Sequence, residues 1–236
     1  MKFLQCLIFL VLASLTNAAV AATEWSVEPF TAEYNVRVGP ASAAAVVELN
    51  SLGDSRFEIV SKTRVTGFFG LFKRGNIDER AVFRFENGEI LAESLVREDN
   101  LSPEPRSCEV YYDPDSGTAR VLFEGSEETV DIPRNTFNPL LMQIALMQDM
   151  AAGQTPDGYN ILDHAGLKRF NVSVGDEGSI KTPSGQFDAI PVDLTHPEKN
   201  AGTRMWAVPG KDWLAVVVEA RKDDEVKATL RLSGLN

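Results

Sequence analysis

Apolar and polar residues alternate with a period of two along most of this chain, a pattern that few folds accommodate. Phe30, Ala32, Tyr34, Val36 and Val38 share one parity, as do Phe57 and Ile59, then Ala81, Phe83 and Phe85. Val110 and Tyr112, Val121 and Phe123, and Phe170, Val172 and Val174 continue it. Val216, Val218 and Ala220 precede a last run of Val226, Ala228, Leu230 and Leu232. Successive side chains of a strand point to opposite faces, so each run dries one face of a sheet and wets the other. Turn formers separate the runs: Gly39-Pro40, Gly53-Asp54, Asn87-Gly88, Asp113–Gly117, Pro183-Ser184-Gly185 and Pro209-Gly210. Asn87-Gly88, set between Val82–Phe85 and Ile90–Val96, predicts a tight hairpin. The predicted fold is mainly β, a strongly curved antiparallel sheet or open β-barrel.

One segment has a different period. Asn138-Pro139 opens a run that Gly153 closes, which is the punctuation of a helix over about residues 138–152. Leu140, Leu141, Ile144, Met147 and Ala151 lie at helical spacing, and Met142, Leu146 and Met150 widen the apolar face. So little of such a helix can face water that it is expected to pack on the concave face of the sheet. Methionine adapts to irregular apolar surfaces, so Leu141, Ile144, Met147 and Met150 are the candidates for lining a site for an apolar or amphipathic ligand.

The N-terminus carries an address. Lys2 precedes the apolar stretch Phe3–Leu15, and Ala18-Ala19-Val20-Ala21-Ala22 follows, the order of charge, apolar core and small-residue site of a cleavable signal peptide. Residues 1–22 are expected to be removed, leaving 23–236 as one β-rich domain in the periplasm, with no transmembrane segment. Cleavage removes Cys6 and leaves Cys108 alone, so no internal disulfide can form and a core of ordinary size must hold the fold. Cys108 lies on a strand pattern and reads as a small half-buried hydrophobe rather than a reactive thiol. The formal charge of -11 disfavours contact with a phosphate backbone, so no nucleic-acid partner is expected.

Several segments resemble the bacterial domain-of-unknown-function 3108 (DUF3108) family of exported periplasmic proteins. They are Phe30-Thr31-Ala32-Glu33-Tyr34, Ser61–Gly70, Asp131–Gly153, Gly178–Phe187 and Thr203-Arg204-Met205-Trp206-Ala207, whose order spans nearly all of the chain after the signal. The resemblance implies fold and compartment and carries no activity. A looser likeness to open-barrel lipoprotein carriers is one of fold alone.

Catalytic patterns are sparse. His164 and His196 sit in turn contexts without metal-ligand spacing, and no serine has a nucleophile's setting, so no catalytic residue, metal or cofactor is nominated. The exceptional stretch is Gly67–Gly75, in which Phe68, Phe69, Leu71 and Phe72 are followed by Lys73 and Arg74. Exposed, it would seek a membrane or protein partner; folded back, its rings would close one end of a barrel. Three functions follow in order: a non-enzymatic protein binding an apolar or amphipathic envelope ligand, an envelope scaffold docking through Phe68–Arg74, and a hydrolase using His164 or His196.

Overall fold

A computed structural model describes residues 27–67, 75–101, 104 and 106–236. The signal segment therefore lies outside the described residues. The first eight strands are β1 (Phe30–Val38), β2 (Ala41–Gly53), β3 (Arg56–Thr66), β4 (Asn76–Glu86), β5 (Glu89–Asp99), β6 (Arg106–Asp113), β7 (Thr118–Phe123) and β8 (Ser126–Asp131). A two-residue β9 (Thr136–Phe137) leads to the helix α1 (Met142–Ala151). Then come β10 (Gly158–Asp163), β11 (Gly166–Val174), β12 (Gly178–Thr182), β13 (Gly185–Thr195), β14 (Ala201–Val208), β15 (Leu214–Lys222) and β16 (Glu225–Leu235).

These strands form one large, open sheet, in the order β8-β7-β6-β5-β4-β3-β2-β1-β16-β15-β14-β13-β11-β10-β9, with β12 beside β13. The pairing is antiparallel except at β9, which runs parallel to β10. The predicted architecture is thus the observed one. Asn87 (φ 52°) and Gly88 (φ 80°) both take the left-handed conformation that a two-residue hairpin demands, joining β4 to β5 as expected. The last strand returns to the first, with Ala32 opposite Leu235 and Val38 opposite Ala228.

The sheet curls until its flanks meet. Tyr112 of β6 donates its hydroxyl to the Leu162 carbonyl of β10 at 3.4 Å, and Phe123 stacks on His164 with ring centres 4.8 Å apart. Further along, β9 approaches β5, yet the two are not paired. The β5–β6 ladder runs from Ser94–Tyr111 to Asp99–Arg106, so residues 89–93 of β5 have no partner on that side. A gap in the wall is the consequence.

The helix fills the hollow. Met142, Ile144, Ala145, Leu146, Met147 and Met150 are all buried, which leaves almost no wet face. Regular helix begins later than the sequence implies. Asn138 does act as a cap, its Oδ1 accepting from the N–H groups of Leu140 (3.1 Å) and Leu141 (2.8 Å). It caps the turn 139–141, however, and the helix continues from there at Met142. At the other terminus Gly153 (φ 68°) ends it as predicted. The same buried cluster holds Leu49, Ile59, Phe83 and Leu162, all fully buried, and Phe83 makes a trio with Phe57 and Phe85 at centroid distances of 5.5–5.7 Å. An extra residue, Glu93, bulges out of β5 opposite the Val82–Phe83 step; it is free to reach Arg56 at 2.6 Å on the outside.

The two ends of the sheet differ. Gln148 of α1 donates to the Gly88 carbonyl at 2.8 Å, so the helix sits at the end bearing the β4–β5 turn, the chain's residues 27–29 and Asn236. At the far end are the β1–β2 and β15–β16 turns and the stems of the segment 67–75, because Ser42 pairs with Thr66 and Arg64 with Asn76.

Replacing Phe83, which is completely enclosed, by Ala should cost about 3–5 kcal/mol of stability. Chemical denaturation would read this as a lowered midpoint at constant slope. A loss below 1 kcal/mol would mean that the helix and sheet are less tightly packed than described.

Candidate functional site

The four helix residues singled out in the sequence are core residues: Leu141 and Ile144 are 0 % exposed, Met147 1 % and Met150 8 %. Met147 also borders a cavity of about 320 Å³ at the helix-bearing end of the sheet. Val27, Phe30, Leu214 and Leu235 supply apolar walls to it, and Glu28, Lys211, Asp212 and Asn236 supply polar groups. That mixture suits a molecule with one greasy and one wet end. The six residues Phe68, Phe69, Leu71, Phe72, Lys73 and Arg74 lie outside the described residues. Their C-terminal stem is tightly held: a Cβ on Gly75 would stand 2.5 Å from the Asn100 carbonyl oxygen, and Asn100 N–H donates to the Asn76 carbonyl at 2.8 Å.

A second opening lies where the wall is incomplete. This groove of about 290 Å³ runs between Ile90 and Leu91 of β5 and Phe137 of β9, with Ala145, Gln148 and Asp149 of α1, Pro156 and Tyr159 around it. Its chemistry centres on Asp149. The Tyr159 hydroxyl donates to Asp149 Oδ2 at 2.7 Å, and burial pushes the carboxyl pKa up despite that bond. Tyr159 itself is pushed up by burial and by the carboxylate it faces. At the mouth, Arg134 donates to Asp115 (2.6 Å), Glu86 (3.0 Å) and Glu89 (3.1 Å), tying the β4–β5 and β6–β7 turns together. Arg84 joins the same cluster through Glu86 at 3.0 Å. Sequence reading missed this groove, since Asp149, Arg134 and Tyr159 are separated along the chain and match no motif. The one available signal was a charged residue, Asp149, in the last turn of a helix with no other charged residue.

Elsewhere the sheet's outer surface holds a polar hollow of about 340 Å³, with Arg204 bridged to Asp193 by two hydrogen bonds of 2.8 and 2.7 Å. Both histidines rest on rings: His164 against Phe123, and His196 edge-on to Phe170 with centroids 5.4 Å apart. His196 Nδ1 accepts the Glu198 N–H at 3.0 Å. Among the described residues no three His, Cys, Asp or Glu side chains gather as metal ligands. Cys108 is a free, buried thiol, and burial pushes its pKa up, which keeps it protonated. A thiol reagent at pH 8 should therefore label the native protein at least about tenfold more slowly than the unfolded chain. Equal rates, followed by mass spectrometry, would show that the strand around Cys108 opens freely.

The comparisons bear on fold and family. A family model described as "Protein of unknown function (DUF3108)" matches residues 29–231. A crystal structure of a β-barrel-like protein of domain of unknown function DUF1849 from Brucella abortus aligns with a TM-score of 0.58 at 13% identity, covering 88% of this chain and 97% of that one. The complex structure of Pseudomonas aeruginosa MucA/MucB aligns with a TM-score of 0.39 at 7% identity, over 88% of this chain and 51% of that one. No curated protein matches the sequence. Among the described residues, no helix is long and apolar enough to cross a membrane.

Proposed function

The chain belongs to the DUF3108 family, and from that premise we propose that it is a non-enzymatic binding module of the bacterial envelope, exported to the periplasm through residues 1–22. Its ligand is apolar or amphipathic. The observation that carries this reading is the cavity bordered by Met147, whose apolar walls adjoin Lys211, Asp212 and Asn236. A ligand would place its greasy part against Phe30, Leu214 and Met147, adding to apolar burial at roughly 25 cal/mol per Å². Its polar end would stay near the lysine and the terminal asparagine. The curled sheet filled by a helix supports the reading as a scaffold able to hold such a cavity at one end.

Native mass spectrometry of the protein purified from its own periplasm tests both parts. The expected spectrum shows a chain beginning at Ala22 or Thr23 and an additional, dissociable mass of lipid size. A full-length chain would overturn export. A bare protein that also takes up no detergent-dispersed lipid would overturn the ligand.

A second reading, docking on a membrane or envelope partner through Phe68–Arg74, is favoured by one observation. Val38 and Val226, exposed by 52 % and 46 %, stand at the end of the sheet where the stems of that segment lie. Changing Phe68, Phe69 and Phe72 together to Ser should abolish co-sedimentation with vesicles while leaving the melting temperature unchanged. Undiminished co-sedimentation of the triple variant would remove this reading.

A further inference from the structure

Asp149 is placed where a carboxylate is costly. It lies in the last turn of α1, at the end where the helix dipole is negative, and no basic residue shares that turn. Its side chain is about half buried, and burial raises its pKa. No lysine, arginine or histidine forms an ion pair with it among the described residues. Tyr159 serves Oδ2, while Oδ1 receives no hydrogen bond from the described residues. The groove's one arginine is already engaged, since Arg134 is shared among Glu86, Glu89 and Asp115. The charged residues lining the groove are thus two carboxylates, Glu89 and Asp149, and one arginine, Arg134, which bonds Glu89 and not Asp149, and Ile90, Leu91, Phe137 and Pro156 supply apolar walls.

From this arrangement we infer that the groove between β5, β9 and α1 is a binding site for an organic cation, an ammonium group on an apolar stem, with Asp149 as its counter-ion. The stem lies along Ile90, Leu91, Phe137 and Pro156. The ammonium donates to Asp149 Oδ1, and Tyr159 fixes the carboxylate from its other oxygen. A charge-assisted bond of this kind is stronger than one between neutral groups and offsets the desolvation that burial imposes on the carboxylate. The volume of about 290 Å³ matches the small end of ligand pockets, about 300 Å³, so the ligand is small. This site is separate from the cavity at Met147. Met147 and Asp149 border different openings of the same helix.

The groups facing Asp149 set the pH behaviour. Tyr159, Glu89 and Arg134 are the titratable residues that line the groove with it. A carboxyl with a raised folded pKa binds its proton more readily in the folded state, so it lowers stability as pH rises through that pKa. Asp149→Asn removes the charge and keeps the acceptor for Tyr159. The variant should fold and be at least as stable as the parent at neutral pH.

The test uses n-hexylammonium chloride, with n-hexanol as its neutral counterpart, in a backbone amide chemical-shift titration of the mature chain. The expected result is saturable shifts at residues 145–149 and 158–160, with n-hexanol at least tenfold weaker. Asp149→Asn should weaken n-hexylammonium at least tenfold and leave n-hexanol unchanged. Wild-type affinity should also fall as pH drops through the raised Asp149 pKa, where the probe stays protonated, and this arm needs no variant. Equal binding of alcohol and ammonium, an unaffected Asp149→Asn variant, or no shift in the groove at tens of millimolar would each overturn the inference. Shifts confined to residues 27–30, 210–214 and 235–236 would report the Met147 cavity instead, and would overturn the cation site while leaving the proposed ligand function standing.

Discussion

The residues inside this curled sheet of sixteen strands are apolar, and the packing of α1 into its hollow is the contact on which the rest depends. Met142, Ile144, Leu146 and Met147 are all buried and belong to one apolar cluster with Leu49, Ile59 and Phe83 of the sheet. One buried hydroxyl shows how a polar group is held in this interior. Tyr34 spans from β1 to the Ala215 carbonyl at 2.9 Å, so its hydroxyl is satisfied where burial would otherwise make it costly. Burial pushes its pKa up, as it does for Tyr112, and both therefore remain donors.

The sheet is continuous through its middle and open at its flanks. In the middle the first and last strands pair along their length, from Ala32 with Leu235 to Val38 with Ala228, so residues distant in the sequence share a ladder. Where the flanks meet, no ladder forms between β5 and β9. Side chains bridge the seam instead, through Tyr112 to Leu162, Phe123 to His164, and Arg134 to the β4–β5 and β6–β7 turns. Side-chain closure leaves gaps that hydrogen-bonded closure would not. Both the cation groove and the half-buried Asp149 arise from that difference.

The openings therefore sit where the fold is least regular. The cavity at Met147 lies at the sheet's end, among residues 27–30, the 3₁₀ turn Pro209–Lys211 and the last residues of β16. The groove at Asp149 lies along the seam. Methionine at position 147 and aspartate at 149 are neighbours in sequence yet serve different openings, because a helix turns about 100° per residue.

The sequence by itself determined the class of the fold. Period-two alternation specifies which face of each strand is dry, and Asn87-Gly88 and Gly153 specify turns whose backbone only such residues adopt cheaply. It also marked α1 as a helix with little of its surface facing water and Cys108 as a small hydrophobe on a strand. These properties are local, set by the period and the neighbours of each residue. Tertiary structure alone decided that β16 pairs with β1, that the seam between β5 and β9 stays open, and that Arg134, Asp149 and Tyr159 share one groove. Such juxtapositions depend on how far the whole sheet twists and curls, a sum over many strands that no single segment records. For the same reason the sequence named Leu141, Ile144, Met147 and Met150 together, while the curvature of the sheet left only Met147 of the four bordering the cavity.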